Sequence, residues 1–508
     1  MAEKVIDKGA PAFNAKNLIS IIVAALVFCF FQFVCPTPDG LAHTGISAIG
    51  ILITCIILWV TEALPFIVTV VFIFTALPMT GILPYSSVTG TLSSDIVSAA
   101  GATLAKSGAS VTITNSVFNS SSLLVPVYCL FVFTVSGIVM STPLPYRVAA
   151  AALKLCKSSR TLIIALMFAT SISSMFISDL AASAIFIGIG LSIVEANGGI
   201  KGQSGLAKAL TLGIGSAAAI GGIGTPIGNS LNILCATMIN TYLGVQVTFG
   251  AWCVICIPLA LVASLCAGVY VSSVFKIEAI KPEALEVVTE KLNDYGKMTP
   301  REIKFIIWFV IAFGIMIAST WVTAINSMYV AFIFTIIAFI PGIDLLTKEA
   351  FHGCIAWEII MMIIGVQALA TGLVGTGAAK WFVQLCFSGA ADWPVMLTIL
   401  VMCIITMILH IAIPVGPPTV SVAIPLMVAV VEVIGADALN PGILACIGGV
   451  LGGVTTWIPI DSIMMLTYQH GWIKMSEWVS RGWGSTVILL ILTWLWLPII
   501  CPIMVPIA

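Results

Sequence analysis

Gly215 to Asn232 is an apolar segment interrupted by glycine, proline and small polar residues, and it restricts the possible folds more than any other stretch. It reads GSAAAIGGIGTPIGNSLN. A helix in hydrocarbon must satisfy its own backbone hydrogen bonds, and glycine and proline at this density break that ladder. Such a break is tolerated where it lines a cavity or binds a polar group. The segment therefore predicts a broken membrane helix beside a binding site.

A second interrupted segment, Gly452 to Ser462, lies at a corresponding place in the other half of the chain. It contains Pro459 and Asp461 in an otherwise apolar setting. Paired broken helices are the best sequence indication of a binding site in a secondary transporter, because they place helix ends near the midplane of the membrane. The chain is therefore predicted to be a transporter built from two related halves.

Composition supports an all-α polytopic membrane protein. Of 508 residues, 60% are hydrophobic and 8% are charged, which no soluble domain matches. The net charge of −1 gives no reason to expect nucleic acid. No HExxH, GxSxG or Walker sequence is present, so neither an enzyme nor an ATP-driven pump is predicted. A channel or an intramembrane enzyme is the remote alternative.

Apolar run lengths predict about eleven transmembrane helices and two re-entrant hairpins. The regions at about 161–196 and 393–432 are too long for one crossing and are broken in the middle. Two crossings each would leave helices of about 15 residues, short for a bilayer that needs about 20. Each region is therefore interpreted as a hairpin that enters and leaves on the same side.

The predicted organisation is an inverted repeat around a polar connector. Residues 84–121 are expected to form an external loop, and 276–304 a cytoplasmic connector with an amphipathic helix. The remaining boundaries are the cytoplasmic N-terminus 1–17, the first half 18–275 with a broken helix at about 206–242, and the second half 305–508 with a broken helix at about 438–470.

Basic residues orient this topology. With the N-terminus inside, Lys106 and Lys380 are the only members of the 20 Lys and Arg residues that fall outside. This agrees with the positive-inside rule. It predicts a multi-pass protein of the plasma membrane with the C-terminus outside, and the two hairpins then open from opposite sides.

Polar residues at the first hairpin suggest a cation site. Ser174 and Ser178 are spaced by one helical turn and could share a face, and Asp179 follows at the predicted tip. A carboxylate at membrane depth costs about 2.5–3.5 kcal/mol to insert, so it must be paired, solvated, protonated or bound to a cation. Asp179 is interpreted as a cation or proton site, or alternatively as a helix cap in a water-filled vestibule.

For two residues of the second half, a functional and a structural interpretation are again both possible. Asp461 follows the proline of the second break, and a functional role is expected there too. His410 precedes the second hairpin tip and is either a packed histidine or a proton relay. The tip itself, Val415-Gly416-Pro417-Pro418, is stiff and carries few side-chain oxygens, although Thr419 and Ser421 follow it.

Several motifs together resemble the divalent anion/sodium symporter family, which carries di- and tricarboxylates. Trp59 to Pro65 is similar to the early Trp-x-x-Glu-x-x-Pro signature of that family, and Gly221 to Asn232 resembles its first broken-helix motif. Trp357 to Gly377 resembles the start of its second repeat. The order and spacing of the motifs extend the resemblance over nearly the whole chain.

The resemblance implies a scaffold, an elevator-type transport domain, a homodimer in the lipid bilayer, and sodium as coupling ion without an organic cofactor. It implies a small organic anion as substrate. The implied sodium ligands are Ser174, Ser178, Asp179 and the carbonyls of Gly221 and Gly222. The implied substrate-binding residues are Ser178, Asp179, Thr225, Pro226, Asn229, Gly416, Thr419 and Asp461.

This chain departs from the family pattern at three places. The family has Ser-Asn-Thr at each hairpin tip, whereas this chain has Ser178-Asp179-Leu180 and Val415-Gly416-Pro417. Asp461 stands where the family usually has asparagine. An added carboxylate disfavours a dianion unless a sodium ion or a proton neutralises it. The substrate is therefore a di- or tricarboxylate-like anion carried with sodium or a proton, or by exchange; the alternative is a monoanionic, zwitterionic or cationic solute.

Overall fold

The computed structural model describes residues 15–83, 120–154, 156, 158–322, 324–386, 393–435 and 438–506. Within these ranges every regular element is a helix. Residues 1–14 of the predicted cytoplasmic N-terminus and 84–119 of the predicted external loop lie outside them. The fold is that of an all-α polytopic membrane protein.

The first half runs from α1 to α10. Its helices are α1 (Ala15–Cys29, continued by a π-helical turn Phe30–Val34), α2 (His43–Thr61), α3 (Phe66–Met79), α4 (Ser120–Met140), α5 (Leu144–Leu153), α6 (Ser159–Ser174), α7 (Asp179–Ala196), α8 (Gly205–Gly222), α9 (Ser230–Leu243) and α10 (Phe249–Val274). Helices α6 and α7 form the first hairpin. Helices α8 and α9 are the two parts of the first broken helix, and the break itself is 223–229.

The second half repeats this order after the connector helix α11 (Pro282–Tyr295). Its helices are α12 (Pro300–Ala318), α13 (Ser327–Ile337), α14 (Lys348–Cys354), α15 (Trp357–Gly375), α16 (Ala378–Cys386), α17 (Val395–Ala412), α18 (Gly416–Ile434), α19 (Pro441–Leu451), α20 (Ser462–Tyr468) and α21 (Met475–Met504). Helices α17 and α18 form the second hairpin, and α19 and α20 form the second broken helix. In each half a long helix follows, α10 or α21.

Helix starts follow local sequence. The side chain of Ser204 caps α8 by accepting from the Ala207 N–H, at 3.1 Å, and Thr248 caps α10 in the same way. Thr299 and Glu302 form a reciprocal capping box at α12. Each contact satisfies backbone donors that a helix start otherwise leaves unpaired. At these three helices the local sequence therefore sets where the helix begins.

The first hairpin opens at the N-terminal end of α21. Lys208, in the first turn of α8, pairs with Glu477 in the first turn of α21, with Nζ and Oε1 at 2.6 Å. Glu278 of the connector bonds the Gly205 N–H at 2.7 Å, and its carbonyl accepts from the Ser159 hydroxyl at 2.6 Å. These contacts gather the starts of α6, α8 and α21 at one end of the molecule.

The second hairpin opens at the opposite end of α21. Trp494 donates its indole N–H to the carbonyl of Met396, in the first turn of α17, at 2.8 Å. Asn440, which precedes α19, donates to the Val505 carbonyl at 2.8 Å. Since α21 has 30 residues, the two ends are about 45 Å apart. The two halves are therefore inverted relative to each other.

Nine helices in the described part of the chain are long and apolar enough to cross a membrane, and ten if the pair Leu124–Met140 and Leu144–Leu153, bent by 67°, counts as one span. This differs from the eleven spans and two hairpins expected from run lengths. The reason is that α7, α17 and α18 of the hairpins reach spanning length, whereas α3, α13 and α19 are too short and α12 carries three charged residues in its first turns. Length alone does not separate a hairpin arm from a crossing helix.

Candidate functional site

The first hairpin tip meets the first helix break through Asp179. Its carboxylate accepts from the Leu180 N–H at 2.8 Å and from the side-chain amide of Asn229 at 2.6 Å. The Asp179 N–H donates to the Gly228 carbonyl at 3.3 Å. Asp179 is 9% exposed. The tip and the break are thus held together by a buried carboxylate whose partners in this contact are neutral.

Two glycines allow the backbones of hairpin and break to approach each other. A Cβ on Gly221 would overlap the backbone carbonyl of Ser171. A Cβ on Gly228 would lie 2.6 Å from the carbonyl oxygens of both Gly222 and Ser174. Real Cβ atoms do not come this close, so a larger residue at either position would push the hairpin away from the break.

Thr225 and Asn232 hold the shape of the break. The Thr225 hydroxyl donates to the Met175 carbonyl and accepts from the Ile227 N–H at 3.1 Å. The Asn232 amide donates to the carbonyls of Gly222 and Thr225, at 2.8 and 2.7 Å. Both side chains are fully buried. The polar residues of the motif therefore replace hydrogen bonds that the interrupted helix has lost.

The residues expected to bind sodium lie around this junction. Ser174 ends α6, and its hydroxyl donates to the Ala218 carbonyl at 2.6 Å. Gly222 lies beside Asp179, whose Oδ2 would be 3.3 Å from a Cβ on that glycine. The carboxylate, hydroxyl and carbonyl oxygens that lie here are the ligands that a hard cation prefers.

The expectation that Ser174 and Ser178 share one helix face is wrong. Helix α6 ends at Ser174, and Ser178 is the residue before α7, with extended backbone angles. The Ser178 N–H instead donates to the hydroxyl oxygen of Ser136, on α4, at 2.8 Å. The tight turn of the hairpin tip separates the two serines, which their spacing alone could not indicate.

Asp461 begins α20 in the second half. Its Oδ1 accepts from the Ile463 N–H at 2.9 Å, which is a normal helix cap. Its Oδ2 lies 3.5 Å from the Nε2 of His410. The other ring nitrogen of His410 lies 2.8 Å from the Thr455 hydroxyl oxygen. The second hairpin and the second break therefore meet at an acid–imidazole pair.

The second tip contributes few free polar groups. Gly416 begins α18, and the Thr419 hydroxyl donates to the Ile413 carbonyl at 2.8 Å. The Ser421 hydroxyl donates to the Pro418 carbonyl at 2.6 Å. Both hydroxyls are buried and already engaged with the backbone of the tip.

Leu231 joins the two halves at the centre of the molecule. A Cβ on Gly416 would overlap its side chain, and one on Gly453 would lie 2.5 Å from its Cδ1 and 3.7 Å from the Asn229 amide nitrogen. Asp179 and Asp461 are also close enough to repel each other electrostatically. The second tip and the second break therefore lie beside the first break, and the predicted site residues converge in one region.

Sequence reasoning missed one contributor to this region, Thr455, and the pairing of another, His410. His410 was considered only by itself, and Thr455 was not considered, because 45 residues separate them. Pro226 is buried inside the first break. Among the described residues no group of three or more His, Cys, Asp or Glu side chains could hold a metal ion, so sodium would depend on the oxygen donors described above.

Comparisons with known proteins agree with this architecture. The profile of the family described as the sodium:sulfate symporter transmembrane region matches residues 15–503. The chain is 26% identical over 404 residues to the sodium-dependent dicarboxylate transporter SdcS of Staphylococcus saprophyticus, covering 73% of this chain and 70% of that protein. It is also 26% identical over 409 residues to SdcS of Staphylococcus aureus strain USA300, covering 74% and 71%.

Proposed function

The chain belongs to the sodium:sulfate symporter family, and from this we propose that it takes up small dicarboxylate-like anions together with sodium. It is a cation-coupled anion transporter of the membrane, and not an enzyme. The similar SdcS proteins are named as sodium-dependent dicarboxylate transporters. The substrate class that we propose, dicarboxylates, is taken from the name of these relatives.

The observation that carries the proposal is the junction of Asp179 with Gly228 and Asn229. Helices α7 and α9 both begin at this junction. Helix N-termini carry partial positive charge and unpaired N–H groups, which suit an anion. The carboxylate and carbonyl oxygens suit sodium. One junction therefore offers ligands to an anion and to its coupling cation.

We assign the sodium ion to Ser174, Ser178, Asp179, Gly221 and Gly222. A substrate carboxylate about 4 Å from Asp179 would be repelled by roughly 4 kcal/mol at an effective dielectric constant near 20. A sodium ion on Asp179 removes this repulsion. Binding of the anion thus depends on prior or simultaneous binding of the cation.

We assign the substrate to the space between the two tips and the two breaks. The residues proposed to line it are Ser178, Asp179, Thr225, Pro226, Asn229, Gly416, Thr419 and Asp461. Thr225 and Thr419 already bond to the backbone, so their contribution would be to shape the site. Asn229 and the helix starts would contact the anion.

Movement of the site is proposed to follow an elevator mechanism. Both hairpins, both broken helices, α10 and α21 share one large buried apolar core, to which α4, α12 and α13 also contribute. Helices α2, α3 and α15 supply most of a second core, and they would belong to the scaffold. We further propose a homodimer in the plasma membrane, with the N-terminus inside and the C-terminus outside. Exposed apolar side chains such as Leu26 and Ile503 would face lipid or the partner.

A second candidate is a permease of the same fold for a solute that carries a positive group. The presence of both Asp179 and Asp461 in one region favours it. A zwitterion or a cation could pair with a carboxylate directly, and would need no sodium ion on Asp179.

Purified protein in proteoliposomes tests the first candidate. We expect an inward sodium gradient to drive accumulation of radiolabelled succinate, and choline in place of sodium to abolish it. Protein-free liposomes are the control. If succinate and citrate are neither accumulated nor exchanged under sodium, proton or counter-substrate gradients, the proposed function is wrong.

Thermal unfolding with a panel of solutes separates the two candidates. Succinate or citrate should raise the unfolding temperature in sodium and not in choline. Stabilisation by a zwitterionic or cationic solute alone, independent of sodium, would replace the first candidate with the second.

A further inference from the structure

His410 is a buried imidazole with one unpartnered nitrogen. The residue is 1% exposed. Its Nδ1 lies 2.8 Å from the Thr455 hydroxyl oxygen. Its Nε2 lies 3.5 Å from Oδ2 of Asp461 but makes no hydrogen bond with any described residue. A buried imidazole nitrogen without a partner costs free energy, so its position beside a carboxylate calls for a functional explanation.

Asp461 is the charged residue that lies beside His410 in the described part of the chain. Helix α17 carries no Asp, Glu, Lys or Arg, and it packs against α18, α19 and α21. Within the described part of the chain, the other titratable groups on these helices either pair with other residues or make no hydrogen bond with His410. They are Glu432, paired with Lys380; Glu477, paired with Lys208; Arg481, beside Glu477; and the thiols of Cys403, Cys446 and Cys501.

Asp461 is therefore the charged group that faces this imidazole among the described residues, and Asp461 in turn interacts electrostatically with Asp179. His410 also lies in the last turn of α17, where the helix end carries partial negative charge. The carboxylate of Asp461 and the helix end thus place negative charge beside the imidazole. When His410 is neutral, the Asp461 carboxylate is uncompensated; when it is protonated, the pair is neutral overall.

We propose that His410 and Asp461 form a proton-binding site, and that the protein carries this proton in the same direction as its anionic substrate. The proton comes from water, adds to Nε2 of the neutral imidazole and is held between that nitrogen and Oδ2 of Asp461. It returns to water from the same nitrogen on the other side of the membrane. The inference rests on the proposed transport of small carboxylates.

The contrast with the first half explains why the second coupling cation is a proton. Asp179 has the neutral amide of Asn229 as partner, so its compensating cation must come from solution. Asp461 has a base that can itself bind a proton. An approaching substrate anion favours the imidazolium, and by linkage the bound proton raises affinity for the anion by the same factor.

Proteoliposomes that contain equal sodium on both sides isolate the proton from the sodium gradient. The membrane potential is clamped with potassium and valinomycin, and uptake of radiolabelled succinate is measured with and without an inward proton gradient. The two pH values lie on either side of the usual histidine pKa of about 6.5. We expect the gradient to raise wild-type uptake about fivefold or more.

The informative variants are His410→Asn and His410→Gln. Asparagine places an amide near the position of Nδ1 and can keep the Thr455 contact, whereas glutamine reaches toward Asp461. Neither binds a proton. Both should exchange succinate at constant pH and lose the response to the proton gradient. His470→Gln, at an exposed histidine, is the matched control and should respond like the wild type.

A direct measurement uses purified protein in weakly buffered detergent solution with a pH dye. Adding succinate in the presence of sodium should cause proton uptake by the wild type and by His470→Gln, but not by His410→Asn. This measurement on the wild type needs no variant to fold.

The inference is overturned if His410→Asn keeps the wild-type response to the proton gradient, or if the wild type takes up no proton with succinate. If the wild type does not exchange succinate at constant pH in sodium, the proposed function itself is wrong. Intact exchange without a proton response removes this inference alone.

Discussion

The two helix breaks solve the same backbone problem with different charges. Asn229 caps α9 and Asp461 caps α20, each accepting from the N–H two residues further on at 2.9 Å. The partner of Asn229 is the carboxylate of Asp179, and the partner of Asp461 is the imidazole of His410. The carboxylate thus lies on the hairpin in the first half and on the break in the second.

This difference shows that the inverted repeat preserves the cap geometry without preserving the chemistry. A cap requires only a side-chain oxygen, which asparagine and aspartate both supply. In the first half, Asp179 has no basic partner among the described residues, which is why we propose a sodium ion there. The second half has a carboxylate with its own base, which suits a proton.

The largest effect is expected when the first break receives the residue of the second, in Asn229→Asp. The new carboxylate would lie at contact distance from Asp179, and two like charges at about 4 Å repel by roughly 4 kcal/mol at an effective dielectric constant of 20. We expect loss of transport and a lower unfolding temperature at neutral pH. Both should recover partly as the pH falls, since protonation of one carboxyl removes the repulsion.

Asn326→Asp is the matched control for this change. Asn326 also caps a helix, accepting from the Met328 N–H at 2.8 Å, but it is exposed and lies far from the site in sequence. Aspartate caps as well as asparagine does. Wild-type sodium dependence in Asn229→Asp would show that the contact with Asp179 has no role in transport.

A comparison of Gly221→Ala with Gly453→Ala tests the packing of the two breaks. A Cβ on Gly221 would meet the backbone of Ser171, including its Cα at 2.5 Å, whereas one on Gly453 would meet the movable side chain of Leu231. We expect destabilisation of about 2–3 kcal/mol for the first and about 1 kcal/mol for the second. Thermal unfolding in detergent measures both.

Gly188→Ala serves as the control for these glycines, because no atom lies within 4 Å of its Cβ position on α7. Alanine there should leave stability unchanged or raise it by up to about 1 kcal/mol. Equal losses in Gly221→Ala and Gly453→Ala would mean that the two breaks are packed equally tightly.

Asp179→Asn removes the carboxylate from the first hairpin tip and tests the assignment of sodium. The amide retains an oxygen that can accept from the Leu180 N–H, so the tip should keep its shape. We expect the sodium concentration for half-maximal succinate uptake to rise at least about tenfold, equivalent to about 1.4 kcal/mol. Asp294→Asn, in the exposed part of the connector, is the control. An unchanged sodium profile would give Asp179 a structural role only.

The smallest effect concerns the outer ends of the broken helices. Glu278 accepts from the N–H groups of Gly205 and Leu206 at 2.7 and 2.9 Å, whereas α19 is capped by Asn440, a group that does not titrate. Partial burial alone would raise the pKa of the Glu278 carboxyl, but these hydrogen bonds outweigh it and hold the pKa below its usual range.

A depressed pKa means that Glu278 stabilises the folded state above its unfolded pKa of about 4.3, and that this stabilisation is lost as the pH falls through the folded pKa. Glu278→Gln should therefore cost about 0.5–1 kcal/mol near neutral pH, an effect limited by solvent screening. The part of the stability that the wild type loses as Glu278 is protonated should be absent from the variant. Thermal unfolding against pH, with the exposed Glu286→Gln as control, measures this. If Glu278→Gln loses as much stability at low pH as the wild type does, that loss comes from the protonation of other groups.

Much of the fold could be predicted because its determinants are local. Apolar run lengths identified the membrane class and indicated both hairpins, and clustered glycine and proline located both helix breaks. The sequence also predicts site residues between Gly221 and Asn232 and at Asp461. A helix in hydrocarbon must satisfy its backbone within a few residues, so its interruptions are visible in short windows of sequence.

The contacts between distant segments were decided only by the tertiary structure. Spacing suggested one helix face for Ser174 and Ser178, but the hairpin turn separates them. Nothing in the sequence connects His410 with Asp461, or places Leu231 against Gly416 and Gly453. Such distances depend on how whole helices pack. The sequence by itself therefore determined where the helices break and which carboxylates enter the membrane, and the packing of the two halves decided which partner each carboxylate has.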